Sequence, residues 1–91
     1  MSESTKGDLE IVNDLGLHAR AAAKLVRVAN DFDADVFVGH AGREVNGKSI
    51  LGVLMLACAK GSTISVRCEG KQAMAAYRAI GDLVRDGFGE R

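Results

Sequence analysis

The sequence predicts a two-layer α+β domain with an antiparallel sheet and helices on one of its faces. Strand-like and helix-like stretches follow one another in the order β-α-β-β-α-β-α. Ile64, Val66 and Cys68 alternate with Ser65, Arg67 and Glu69, so that strand is apolar on one side and polar on the other. A chain of 91 residues makes one domain, taken as 1–91, with a small core. Such a core favours a surface site that a partner covers over an enclosed one.

Residues 1–7 are polar and read as a flexible N-terminal segment. Leu9 to Asn13, with β-branched Ile11 and Val12, reads as the first strand, and Asn13-Asp14-Leu15-Gly16-Leu17 turns the chain. From Ala19 to Asn30 the chain is rich in Ala and Leu, and Ala22, Leu25, Val26 and Ala29 fall at helical spacing. Phe32 is expected to fold back beneath the end of that helix. Ala34, Val36 and Val38 share one side of a second strand, Phe37 takes the other, Gly39-His40-Ala41-Gly42 is a hairpin loop and Arg43 to Asn46 the return strand. After an Asn46-Gly47-Lys48 turn, Ser49 has the chemistry of an N-cap for a short helix over Ile50 to Leu56. The alternating strand then ends at Gly70. A last helix spans Lys71 to Asp86, with Met74, Tyr77, Ile80 (with Gly81) and Val84 as its stripe, Gly87 as a C-cap and a short tail of Phe88 to Arg91.

Twelve basic residues balance twelve acidic ones, and the four aromatics are scattered. Neither feature suits a nucleic-acid binder. There is no signal peptide pattern and no apolar run long enough to span a membrane, so a cytoplasmic protein is expected. Cys58 and Cys68 lack metal-ligand spacing and read as buried thiols in a reducing compartment; no metal or cofactor is expected.

His18 stands between a glycine-containing turn and an Ala-rich helix. The first turn of a helix has unpaired N–H groups, here those of Ala19, Arg20 and Ala21, and the positive end of the dipole. That end disfavours the imidazolium and leaves a ring lone pair free to attack phosphorus; a bound phosphate would then sit in an anion site. Arg20 adds a forked cation, and Gly16 removes bulk where a partner would approach. On spacing alone, a histidine that merely starts the helix, beside a solvated arginine, fits equally well. His40, in the far hairpin, reads as solvated.

The segment Gly16-Leu17-His18-Ala19-Arg20-Ala21-Ala22 resembles the phosphohistidine motif of the HPr family, phosphocarriers of the bacterial phosphoenolpyruvate:sugar phosphotransferase system. Asn46-Gly47-Lys48-Ser49-Ile50-Leu51-Gly52-Val53-Leu54 resembles the same family's regulatory serine motif. Ala57-Cys58-Ala59-Lys60-Gly61 with Ile64 and Val66 is similar to the family's entry into its fourth strand. The resemblance runs from Leu9 to Gly87. It implies an open-faced β-sandwich, four antiparallel strands covered on one face by three helices. It also implies that His18 is phosphorylated on Nδ1 by enzyme I using phosphoenolpyruvate, with Arg20 stabilising the phosphate and an enzyme IIA domain receiving it. Such a protein is a carrier, not a stand-alone enzyme, and a monomer is expected. The family usually has proline after this arginine. Ala21 suits the helix but restores an N–H and loses rigidity, so transfer is expected to survive with altered kinetics.

Ser49 is an N-cap first; the resemblance adds phosphorylation by an HPr kinase/phosphorylase. The short helix has more apolar residues than one buried stripe hides. Leu51 and Leu54 are therefore expected on an exposed docking face, rimmed by Leu17, Arg27 and Lys48, with Ile50, Val53 and Leu56 in the core. Leu54-Met55-Leu56 and the Asp86-Gly87-Phe88 ending resemble the nitrogen-related branch of the family, which regulates instead of feeding sugar import. A purely regulatory module acting through phospho-Ser49 is the competing class, and the retention of His18 with Arg20 argues against it. A small-ligand-binding domain is a third class, but no polar pocket set is visible.

Overall fold

The computed structural model describes residues 3–90. Its elements are β1 (Glu3–Glu10), α1 (Ala19–Asn30), β2 (Asp35–His40), β3 (Arg43–Asn46), α2 (Ile50–Met55), β4 (Thr63–Gly70) and α3 (Ala73–Arg85). The sheet order is β1-β4-β2-β3 with every pairing antiparallel, in a register that sets Leu9 opposite Ile64, Val36 opposite Cys68 and Val38 opposite both Val45 and Val66. Inward residues of the strands meet Leu25, Ala29, Ile80 and Val84 in one core. On the uncovered face Arg67 lies 4.1 Å over the Phe37 ring and donates to Glu44 at 2.8 Å. This is the open-faced sandwich that the resemblance implies.

α1 forms where Ala/Leu content and helical period agree. Its buried residues are Ala21, Ala22, Leu25, Val26 and Ala29. Phe32 packs half-buried against the core just beyond it. β1 differs from expectation: it begins at Glu3 and ends at Glu10, so residues 3–7 of the supposed flexible segment are strand, while residues 1 and 2 lie outside those described. Ladder bonds to β4 hold this polar edge, with Gly7 facing Tyr77 so closely that a Cβ there would meet the phenolic oxygen at 2.0 Å. Ile11, expected in the strand, is buried in the following loop and exchanges backbone bonds with Gly61 and Ser62.

Three smaller expectations are corrected. Gly39 and His40 belong to β2, and the hairpin is the two-residue Ala41-Gly42 turn, both residues at positive φ, as tight hairpins require. On α3 the inward stripe is Ala73, Ala76, Ile80, Gly81 and Val84; Met74 is exposed, because small residues let the helix sit close to the sheet. Ile50 is also exposed, at the start of a helix that buries only Val53 among its six residues.

The chain beyond α3 is not a loose tail. Gly87, Phe88 and Gly89 have φ of 64°, 58° and 73°, a left-handed turn. Phe88 is fully buried, the largest such side chain among the described residues. Arg91 lies outside those residues. No described helix is long and apolar enough to cross a membrane.

Candidate functional site

His18 is the N-cap of α1, in extended backbone, and its side chain makes no capping bond. The first intrahelical bond runs from the Ala22 N–H to the His18 carbonyl at 2.8 Å, which leaves the first-turn donors of Ala19, Arg20 and Ala21 without helical acceptors. Ala19 and Arg20 are open to solvent, whereas Ala21 is fully buried. Ala21, the third helical residue, turns toward the core beside Ala22, so its N–H is closed to an incoming anion. That corrects its expected place among the phosphate donors.

The imidazole is held by a carboxylate. Nε2 of His18 meets a carboxylate oxygen of Glu90, and no hydrogen bond among the described residues involves Nδ1. The other Glu90 oxygen accepts from Asn13 Nδ2 at 3.0 Å, and that amide also donates to the Gly16 carbonyl at 2.8 Å. The Asn13 bond, then the His18 contact, and then the charges of His18 and Arg20 hold the Glu90 carboxyl below the usual carboxylate range. Lys24 Nζ donates to the Phe88 carbonyl at 2.6 Å and so fastens the turn that presents Glu90. Beside the histidine runs an open groove of about 570 Å³, lined by Asn13, Leu15, Arg20, Lys24 and Glu90 among others.

Gly16, at φ +67°, is required from inside and not only by an approaching partner. A Cβ there would lie 2.3 Å from the Cys58 carbonyl oxygen, which itself accepts from the Leu17 N–H at 2.9 Å. Leu17 is buried, so it cannot rim a docking surface; the loop tucks its side chain into the core just before the helix starts.

The same bonds show how α2 is laid. Its C-terminal side is tied through Cys58 to the histidine loop, and its N-terminal side through Lys48 Nζ to the Phe32 carbonyl at 3.2 Å, beyond the far end of α1. Lys48 and exposed Arg27, nine residues after His18 and so about 14 Å along the axis, therefore lie away from the imidazole. Leu51 is exposed, as expected, together with Ile50 and Met55, while Leu54 is half-buried against the core. Ser49 caps α2, its Oγ accepting from the Gly52 N–H at 3.1 Å.

Glu90 and Asn13 were not legible as site residues from spacing. Asn13 reads as a turn former, and a glycine-flanked aromatic near a chain end reads as part of a short tail. The available signal was Phe88 itself, an apolar residue that a small core can use. His40 donates from Nδ1 to the Thr63 carbonyl, 3.0 Å away. The two cysteines are buried free thiols, and burial pushes both thiol pKa values up.

The family described as "PTS HPr component phosphorylation site" matches residues 5–86. The phosphocarrier protein HPr of Neisseria meningitidis is 46% identical over 85 residues, which cover 93% of this chain and 96% of that protein. The phosphocarrier protein NPr of Shewanella violacea is 44% identical over 80 residues, 88% of each. The crystal structure of HPr-C-His from Thermoanaerobacter tengcongensis superposes with a TM-score of 0.92 at 36% identity, covering 96% of this chain and 98% of that one.

Proposed function

Because the chain belongs to the HPr family of phosphotransferase-system phosphocarriers, we propose that it takes a phosphoryl group onto Nδ1 of His18 from phospho-enzyme I and passes it to an enzyme IIA domain. One observation supports this above the others: the imidazole sits at the start of α1 with Nε2 engaged and Nδ1 free of hydrogen bonds among the described residues. The Nδ1 lone pair forms the N–P bond as the donor's bond to phosphorus breaks, and the donor residue keeps that electron pair. Arg20 is exposed and makes no hydrogen bond among the described residues, so its guanidinium can meet the phosphoryl oxygens together with the N–H groups of Ala19 and Arg20. The phosphoryl group is held stoichiometrically, as in a carrier and not an enzyme, by a monomer in the cytoplasm.

Partners would dock on the exposed apolar face of α2, with Leu51, Ile50 and Met55 contributing most and Leu54 its half-buried edge. Arg27 and Lys48 would border the far end of that face. Phosphorylation of Ser49 by an HPr kinase/phosphorylase would add negative charge at the helix start there.

Incubation with enzyme I and phosphoenolpyruvate should yield an acid-labile phosphate that His18→Ala cannot acquire. Equal labelling of both proteins, or of neither, sinks the carrier reading. An ATP-driven, acid-stable label lost in Ser49→Ala would instead support the regulatory branch.

A further inference from the structure

Among the described residues Asn13 is the one buried polar side chain, and none of them gives its Oδ1 a hydrogen-bond partner. Its orientation is fixed nonetheless. Both amide protons are used, one on the Gly16 carbonyl and one on Glu90, and a reversed amide would set its oxygen against two acceptors. An orphaned buried oxygen costs folding free energy that an apolar residue of similar volume would not. The left-handed turn adds a second cost, since Phe88 is held at positive φ without being glycine. Both costs fall on the residues that deliver the Glu90 carboxylate to His18.

We propose that Glu90 and Asn13 are positioning residues for phosphoryl transfer, Glu90 holding the ring by Nε2 so that Nδ1 faces the incoming phosphorus, and Asn13 holding Glu90. This rests on the phosphocarrier reading above. An ionised carboxylate can only accept, so the proton lies on Nε2 and the lone pair on Nδ1. The 1,3 relation of the two nitrogens keeps the negative carboxylate away from the arriving phosphoryl group. Arg20 and the helix start remain free to meet it.

The test pairs ring ¹⁵N NMR of the unphosphorylated protein with the rate of phosphorylation by enzyme I and phosphoenolpyruvate, in wild type, Glu90→Ala, Glu90→Gln and Asn13→Leu. In wild type, the neutral ring should carry its proton on Nε2. Glu90→Ala and Asn13→Leu should each mix the tautomers and slow phosphorylation by about tenfold. Their double variant should be no slower than Glu90→Ala alone. Glu90→Gln keeps one oxygen able to accept from Nε2–H but turns its amide NH2 toward the Asn13 donor, so it should be slowed less than Glu90→Ala. The proposal falls if Glu90→Ala leaves the ring spectrum or the rate unchanged, or if the two single effects multiply in the double variant. Wild type with the expected tautomer but no phosphorylation would sink the carrier reading instead. The two failures are thus distinct, and the Glu90 variants decide the matter even if Asn13→Leu does not fold.

Discussion

Lys24 donates from Nζ to the Phe88 carbonyl at 2.6 Å, joining the middle of α1 to the left-handed turn that follows α3. Lys24→Met keeps most of the stem and removes the donor. It should cost about 1 kcal/mol, the usual net worth of one such bond, read as a lower urea midpoint with an unchanged slope.

Gly16→Ala should be more damaging. The new Cβ would meet the Cys58 carbonyl oxygen at 2.3 Å and the Ala59 Cα at 2.9 Å, both backbone atoms that cannot swing aside. With the left-handed φ of 67° added, a loss of about 2 kcal/mol or more is expected. Equilibrium unfolding would reveal it, and a stability within error of wild type would contradict the close approach.

Ser49→Ala should cost about 1 kcal/mol, because it strips the acceptor from the Gly52 N–H. Ser49→Asp keeps a capping oxygen and should recover most of that loss. Thermal denaturation of the pair separates the capping role from any role of phosphate at this position.

Glu90 is held below the usual carboxylate range, first by Asn13 and then by His18. A carboxyl lowered on folding stabilises the fold above its unfolded value, and that contribution disappears as pH falls through the folded one. Wild type and Glu90→Gln should therefore differ in stability near neutral pH and converge in acid. A ¹³C titration of the Glu90 carboxyl should also show its midpoint rising in Asn13→Leu, since the largest cause has been removed.

Where local chemistry and tertiary structure agree, the sequence was readable. α1 starts and stops at the predicted residues because Ala-rich propensity and a five-residue buried stripe favour the same segment. β4 was equally plain, with Ile64, Val66 and Cys68 all buried. β1 was misplaced because Glu3 to Asp8 carry no hydrophobic pattern; their pairing with β4 makes them a strand, and pairing leaves no local trace. Leu17 was misjudged for a similar reason, as only the bond from its N–H to Cys58 shows that the loop folds inward. His18 and Arg20 were legible because a helix start has a chemistry of its own. Glu90 lies 72 residues away from His18 in sequence, and only the fold brings them together.

The buried Phe88 makes Glu90 a ligand that the chain carries for its own histidine. A tethered group acts at an effective concentration of about millimolar or more on a short linker, and this linker is anchored in the core. Acetate or formate in the medium should therefore have little influence on the intact protein. Once the Glu90 side chain is truncated the vacated place is open to them, and either anion should restore part of the lost rate in a concentration-dependent way. Buffer composition then becomes a variable in any assay of a shortened or altered C-terminal turn.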